Sequence, residues 1–489
     1  MDFLSEHAVA LLIFALYLAV LIYNAVVGSR SSSSMAGYYV GNRSLGGVAV
    51  GISFFATFAS TNTYIGLSGK SYSIGLPWLI MAANLVLFTW VSWRFIAPRL
   101  RRFAAQHAVL TIPDYLGSRF LVHPEQERAA IKLLSAAVIV FASLLYLIAI
   151  FKGAGTLFQA FLGISYHTAI ALFLVIVVLY TSVGGYVSVV RTDVVQGVMM
   201  LVGAIMVFAF VTHAAGGVTS IRQLANTPDT APLFELGGTL PVAVLMGISL
   251  SGAFKLLADP RQLSRFLGLR DQREVRRGVL VSVLGLTVVL FCLFPIGLYA
   301  RLLVGDISDT DTLVPLLIVN PAIFPTWAAD FLIVALTAAA MSSMDSVLLV
   351  AASTLYRHLI NPFHHSAHPV RWTRASIAGF ATLAAAVALN PPGDIVQITI
   401  FSGSLFAVCF LPAVLLGLYW ERGTDGAVLA SMLAGIAVLV LWLNAGLSST
   451  VHELFPGLTV SLLTYVLMSC WQPPLACRQR GAVATKEDA

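Results

Sequence analysis

Four polar residues near the middle of one apolar stretch have the spacing of an ion site. Ser342, Asp345 and Ser346 follow an i, i+3, i+4 pattern, so a helix would place them on one face with Ser343 at its edge. Hard cations prefer oxygen ligands. Two serine hydroxyls, one helix carbonyl and carbonyls from a broken neighbouring helix would supply about five such oxygens. This pattern predicts a small alkali-cation site. The alternative is that the hydroxyls donate to carbonyls of the preceding turn.

Two other apolar stretches are interrupted by polar residues. Residues 56–63 read Ala-Thr-Phe-Ala-Ser-Thr-Asn-Thr, and residues 247–260 combine glycine and serine with Lys255, Asp259 and Pro260. Matched interruptions in the two halves of a chain indicate the midplane binding site of a transporter, where unwound backbone can bind ions. The alternative is that both stretches are Gly/Ser packing faces of ordinary membrane helices.

A further carboxylate follows the glycine pair at 184–185. Asp193 lies two residues after Arg191 and one helical turn before Gln196. Arg191 suits a cytoplasmic surface, whereas Asp193 and Gln196 would point into a helix bundle. Asp193 is therefore either an ion ligand or relay, or a carboxylate favoured by the dipole at a helix N-terminus.

The composition determines which elements position these residues. Of 489 residues 58% are hydrophobic and 10% charged, against about 45–50% and about 25% in soluble domains. This excludes a soluble globular enzyme, a disordered protein and a nucleic-acid-binding protein. The net charge of +6 is explained by cationic cytoplasmic loops, and the four cysteines form no Cys-x-x-Cys metal or redox pair.

About 20 apolar residues are needed for a helix to cross the bilayer, and hydropathy then predicts thirteen spans. The first lacks a basic region before it and a cleavage site after it, so we expect it to be a retained helix. The spans are approximately 7–27, 46–69, 75–97, 130–153, 166–184, 188–213, 239–263, 278–303, 326–351, 372–390, 394–419, 426–446 and 452–471.

Loop charge predicts the orientation. With the N-terminus outside and the C-terminus in the cytoplasm, most Lys and Arg residues fall in cytoplasmic loops, as the positive-inside rule requires. The largest group comprises Arg261, Arg265, Arg270, Arg273, Arg276 and Arg277. We therefore expect one multi-pass domain of the cell membrane over residues 1–471, surrounded by lipid, with a cytoplasmic polar tail over 472–489.

Several motifs, in the same order along the chain, resemble the sodium/solute symporter family, which includes sodium/glucose, sodium/proline and sodium/sialic acid cotransporters. They lie at residues 38–44 (Tyr-Tyr-Val-Gly-Asn-Arg-Ser), 65–69, 184–196 and 416–422. The resemblance covers roughly residues 8–470. It implies an all-α membrane protein with a LeuT-type inverted repeat of five plus five helices, its core repeats at about 46–213 and 239–419.

The resemblance also implies ion ligands. The main sodium site would use the carbonyls of Ala56, Ala59 and Ala339 and the hydroxyls of Ser342 and Ser343. A second ion site, present in some members, would contain Asp193, Ser342, Asp345 and Ser346. An acid at position 345, where a serine stands elsewhere in the family, leaves the number of sodium ions open and would also suit a proton or a nearby cation.

By the same resemblance, the solute pocket would include Phe58, Ser60, Asn62 and Thr63. Lys255 falls near an aromatic gate position of sugar transporters. A desolvated ammonium favours a carboxylate over a sugar, although Lys255 could instead pair with Asp259 one turn later.

These features predict a sodium-coupled symporter that imports a small organic solute, most consistent with a monocarboxylate or an amino acid. The sodium ion is a co-transported substrate. The alternatives are a neutral solute such as a sugar, coupling to protons, and a membrane sensor that binds solute without transporting it. An intramembrane enzyme is disfavoured, since the sequence has no metal-binding His/Glu set and no Gly-x-Ser-x-Gly motif.

Overall fold

A computed structural model describes residues 8–31 and 34–471, so the predicted tail lies outside the described residues. The described chain folds into helices, apart from an isolated bridge between Leu45 and Leu269. The helices that matter for the site and its surroundings are α1 (Ala8–Ser31), α2 (Gly47–Phe58), α3 (Asn62–Ile74), α4 (Leu76–Gln106), α5 (Ile112–Phe120), α6 (Ala130–Leu162), α7 (Tyr166–Ala214), α8 (Val242–Ala258), α9 (Pro260–Leu267), α10 (Gln272–Leu293), α11 (Thr326–Thr354), α12 (Pro369–Ala388), α13 (Ile395–Tyr419), α14 (Asp425–Asn444) and α15 (Leu454–Trp471).

Fewer helices meet a criterion of length and composition for crossing a membrane than hydropathy of the sequence alone predicts. Among the described residues, nine helices are long and apolar enough to cross a membrane, and the bent pair α2–α3 makes a tenth. The described residues also include two shorter apolar stretches, Leu12–Gly28 of α1 and Tyr166–Leu179 of α7. Helix α7 is kinked at Gly185, where φ is +67°. A helix occupies every predicted span, but the count of thirteen is not confirmed.

Helix α11 forms the centre of the bundle. In its most apolar stretch 94% of the residues are buried, against 28% in α15 at the periphery. It packs against α1, α2, α6 and α7. The hydroxyls and the carboxylate of α11 therefore face other helices rather than lipid, as is usual for polar groups inside membrane proteins.

The second span is broken, as the sequence predicts. Its two segments, α2 and α3, meet at an angle of 56°. Ala59 leaves the helical conformation with φ −75° and ψ 81°, and its N–H makes the last bond of α2, to the Phe55 carbonyl at 2.8 Å. The break falls within a predicted span and is buried at Ala59 and Ser60, as non-helical backbone in a membrane must be enclosed by protein.

The seventh span is interrupted later than the glycine and serine pattern suggests. Residues 247–252 are helical within α8, and the helix ends only at Asp259, which caps α9. The hydroxyls are used in packing: Ser249 accepts a hydrogen bond from Asn84 at 2.8 Å, and Ser251 donates to the Ile400 carbonyl at 2.8 Å. Residues 247–252 thus serve helix packing, and the interruption of the span falls at Pro260, within the predicted stretch.

Candidate functional site

The break between α2 and α3 lies against α11, and serine hydroxyls bridge the two. Ser342 Oγ lies 3.0 Å from the Ala56 carbonyl and 3.1 Å from the Ala339 carbonyl. Ser343 Oγ donates to the Thr57 carbonyl at 2.9 Å. The side chains concerned are fully buried. The structure therefore brings Ala56, Ala339 and Ser342 together, with Ser343 beside them.

The remaining predicted ligand, Ala59, stands at the end of α2 three residues after Ala56. Its backbone has left the helical conformation, so its carbonyl is not held in the ladder of a continuing helix. Ala56, Ala339 and Ser342 together bring neutral oxygens from α2 and α11 into contact. This is the chemistry that a hard monovalent cation requires, since it binds carbonyl and hydroxyl oxygens.

One turn along α11 the polar groups are charged. Asp193 of α7 accepts a hydrogen bond from Ser53 at 2.5 Å and forms an ion pair with Arg265 of α9 at 3.2 Å. Arg265 also donates to Thr57 Oγ1 at 2.7 Å and to Ser346 Oγ. Both ionised side chains are 0% exposed, so each compensates the charge of the other in a dry environment.

The predicted second ion set is divided by these contacts. Asp193 and Ser346 meet at Arg265, whereas the Asp345 carboxylate accepts a hydrogen bond from Thr181 at 2.6 Å. Tyr17 of α1 donates to Met341 of α11 and accepts from Gln196 of α7 at 2.6 Å, so it links these two helices.

Another charged cluster lies beside the break. Lys255 Nζ is 4.0 Å from the centre of the Tyr146 ring, and the Arg261 guanidinium is 3.7 Å from it. Arg261 forms an ion pair with Asp259, so the predicted Lys255–Asp259 alternative is replaced by an Arg261–Asp259 pair. Tyr146 donates to Ser60 Oγ at 3.0 Å, which links this cluster to the break.

The other predicted pocket residues surround Ser60 in the chain. Phe58 and Asn62 are half-buried, and Thr63 is fully buried with its hydroxyl 3.5 Å from the Phe58 carbonyl. A cavity of about 800 Å³ borders the helices of the Tyr146 cluster, with Leu145 of α6 and Ile248 of α8 in its wall. Its described lining residues include none of the predicted pocket residues.

Comparison with known proteins decides the family. The sequence model described as "Sodium:solute symporter family" matches residues 38–435 of the chain. The chain belongs to the sodium:solute symporter family. It is therefore related to membrane transporters that couple solute movement to sodium.

Curated relatives in this family span nearly the whole chain. The high-affinity proline transporter PutP of Bacillus subtilis is 30% identical over 455 residues, which is 90% of this chain and 93% of the relative. A sodium/pantothenate symporter of Haemophilus influenzae is 25% identical over 455 residues, which is 91% of this chain and 92% of the relative.

Solved structures confirm the fold class. A Na⁺-coupled sialic acid symporter in a substrate-bound outward-open state has a TM-score of 0.80 at 20% identity, covering 96% of this chain and 98% of that one. Mhp1, a nucleobase-cation-symport-1 family transporter, has a TM-score of 0.60 at 13% identity, covering 89% and 94%. The symporter is an all-helical membrane protein with the LeuT-type fold.

Sequence reasoning missed the position of two arginines of the symporter. Loop charge predicts Arg261 and Arg265 at the cytoplasmic surface, but they are only 2% and 0% exposed. The missed signal is their spacing: Pro260 starts a new helix, and residues 261 and 265 are then one turn apart on the same face. The apolar residues Leu263, Phe266 and Leu267 accompany them into the interior.

Proposed function

We propose that this symporter couples inward sodium flow to the uptake of a small carboxylate-bearing solute, a monocarboxylate or an amino acid, by alternating access. The observation that carries the proposal is the bridge from Ser342 on α11 to the Ala56 carbonyl at the break of the second span. An oxygen-rich contact between a broken helix and a core helix can open and close as the two move apart. The proposal makes the protein a transporter and not an enzyme.

The main sodium site in this proposal consists of the carbonyls of Ala56, Ala59 and Ala339 and the hydroxyls of Ser342 and Ser343. Ser342 Oγ now directs its proton at neighbouring carbonyls. Sodium between these groups would take both kinds of oxygen at once and hold α2 against α11. Through this contact sodium raises solute affinity, and by linkage the solute raises sodium affinity by the same factor.

The solute site in this proposal lies at the break, around Phe58, Ser60, Asn62 and Thr63, with Lys255 as the cation that receives the carboxylate. Two cations face Tyr146, and Arg261 already has the carboxylate of Asp259. Within the described part of the chain no such ion pair is formed by Lys255, which is 4% exposed. A buried ammonium is strongly stabilised by an anionic partner, and this favours a solute with a carboxylate.

The relatives agree with this chemistry, since proline, pantothenate and sialic acid all carry a carboxyl group. We further propose the orientation that the loop charges predict, with the N-terminus outside and the C-terminus in the cytoplasm of a cell membrane. Residues 1–471 would then form one transport domain in contact with lipid.

Uptake by the purified chain in proteoliposomes tests the proposal. The panel is labelled acetate, pyruvate, proline, pantothenate, sialic acid and glucose, each with an inward sodium gradient and with potassium in its place. We expect accumulation of at least one carboxylate only with sodium. Accumulation driven by a proton gradient alone, accumulation of glucose alone, or sodium-dependent binding without any accumulation would overturn the proposal.

Lys255→Met tests the solute class. We expect uptake of the carboxylate solute to fall about 10- to 100-fold, since a hydrogen bond to a charged group contributes about 1.5–3 kcal/mol. Lys255→Arg should recover part of it because the positive charge is kept. Lys132→Met is a matched control on α6, since its ammonium bonds the Pro124 carbonyl at 2.6 Å, away from Tyr146. Equal losses in Lys255→Met and Lys132→Met would contradict the assignment.

A further inference from the structure

We infer that Arg265 is a resident cation in the second ion position, so that this symporter binds a single sodium ion. The inference rests on the proposed function. It concerns the group of side chains in which Asp193 of α7, Thr57 of α2 and Ser346 of α11 all meet the guanidinium of Arg265.

The partners of Arg265 are the kind of oxygens that a second sodium ion would need. One is a carboxylate and two are hydroxyls, and they come from three different helices. All three contacts are made by one terminal nitrogen of the guanidinium, Nη2, so the positive end of a single side chain lies among the three oxygens. The group therefore gains the electrostatic effect of a cation without taking one from solution.

Charge supports the same conclusion. Asp193 is 0% exposed, and a buried carboxylate is strongly destabilised unless a cation accompanies it. Arg265 supplies that cation at 3.2 Å. A sodium ion bound to the same carboxylate would be repelled by the adjacent guanidinium, because like charges in a water-poor interior interact strongly.

Local structure holds Arg265 in this position. Asp259 caps α9, Arg261 turns back to pair with Asp259, and Arg265 follows one turn later on the same face. The ring of Tyr186 lies 5.4 Å from the guanidinium and covers it, and the Tyr186 hydroxyl donates to the Ser264 carbonyl. Arg265 is thus positioned by contacts of α9 and of Tyr186 on α7.

The group also leaves room for an ion once Arg265 is removed. Among the described residues Asp193 Oδ1 has no hydrogen-bond partner, and Oδ2 would lose the guanidinium. Asp193, Thr57 and Ser346 would then surround a space of negative charge. Shortening Arg265 to a neutral side chain should therefore convert a one-sodium protein into a two-sodium protein.

Binding of radioactive sodium to the purified full chain in detergent tests the inference, with the number of ions per chain as the readout. We expect one ion for the wild type and for Arg265→Lys, and two for Arg265→Gln. Ser343→Ala added to Arg265→Gln should return the count to one, because only the site near Ala56 is lost. Two ions in the wild type, or a single ion in a folded Arg265→Gln variant, would overturn the inference.

Two further variants keep the test decisive. Arg119→Gln removes an arginine of α5 that bonds the Gly417 and Trp420 carbonyls, away from Ser346, and should keep a count of one. Should Arg265→Gln not fold, Asp193→Asn with Arg265→Gln removes both charges and should bind one ion; a count of two there would overturn the inference. A wild type that binds no sodium would instead overturn the proposed function itself, and with it this inference.

Discussion

Two levels of α11, one helical turn apart, contact the same residue of α2 in different ways. At the level of Ser342 and Ser343, the contacts are between neutral hydroxyls and carbonyls, including the Thr57 carbonyl. At the level of Ser346, the Thr57 hydroxyl lies 3.0 Å from the Ser346 hydroxyl and accepts a hydrogen bond from Arg265, whose guanidinium pairs with the Asp193 carboxylate. A neutral oxygen set is completed by a cation from solution, whereas a set with its own cation has little need of one. In the proposed mechanism, α2 and α11 thus contribute both to an exchangeable sodium site and to a group with a resident arginine.

Removing a hydroxyl from the neutral level should have the largest effect. For Ser342→Ala and for Ser343→Ala we expect the dissociation constant of radioactive sodium to rise about 10- to 100-fold, the equivalent of about 1.5–3 kcal/mol. Ser353→Ala is the control, since that hydroxyl on the same helix bonds only to the Val350 carbonyl of its own preceding turn. Unchanged sodium affinity in both variants would contradict the assignment of these hydroxyls as sodium ligands.

Thr57→Val should separate the two levels, because it removes the hydroxyl and leaves the carbonyl. We expect sodium affinity to change less than about threefold, while the free energy of unfolding falls by about 1–3 kcal/mol as Arg265 and Ser346 lose a buried partner. Thermal unfolding in detergent measures the second quantity. Thr57→Ser should restore stability. A large loss of sodium affinity with no loss of stability would reverse the assignment of the two levels.

Asp114 extends the comparison to a compensated carboxylate outside the membrane-spanning helices. It accepts hydrogen bonds from Arg357 at 3.0 and 3.1 Å and closes the capping box of α5. Burial acts to raise the pKa of this carboxyl, but the charges of Arg357 and His358 and the hydrogen bonds outweigh it and hold the pKa below its ordinary value.

A group whose folded pKa is lowered adds stability above its unfolded pKa and loses it as the pH falls through the folded pKa. We therefore expect Asp114→Asn to lower the free energy of unfolding by about 1–2 kcal/mol at neutral pH. The difference from the wild type should shrink below about pH 4 and should not depend on sodium. Unfolding curves at several pH values, with sodium and with potassium, measure this. A sodium-dependent difference would contradict the comparison.

Much of the helical framework could be predicted because hydropathy is a local property. Helices occupy all the predicted spans, and the break after Ala59 follows from a run of hydroxyl and amide side chains flanked by glycine. The seventh span was harder to predict, since glycine and serine between residues 247 and 252 serve equally well for packing, as Ser251 does against Ile400.

The sequence by itself determined that α11 carries a hydroxyl-rich face and that Asp193 lies inside the bundle, because both follow from spacing along one helix. Only the tertiary structure decided which groups meet. Arg265 reaches Asp193 across 72 positions of the chain, and Ser342 reaches Ala56 across 286. The charge of a side chain can be read from the sequence, but whether it faces water or a buried carboxylate depends on how the helices cross. Because of this crossing, Arg265 lies in the interior of the symporter and not at the cytoplasmic surface that loop charge predicts.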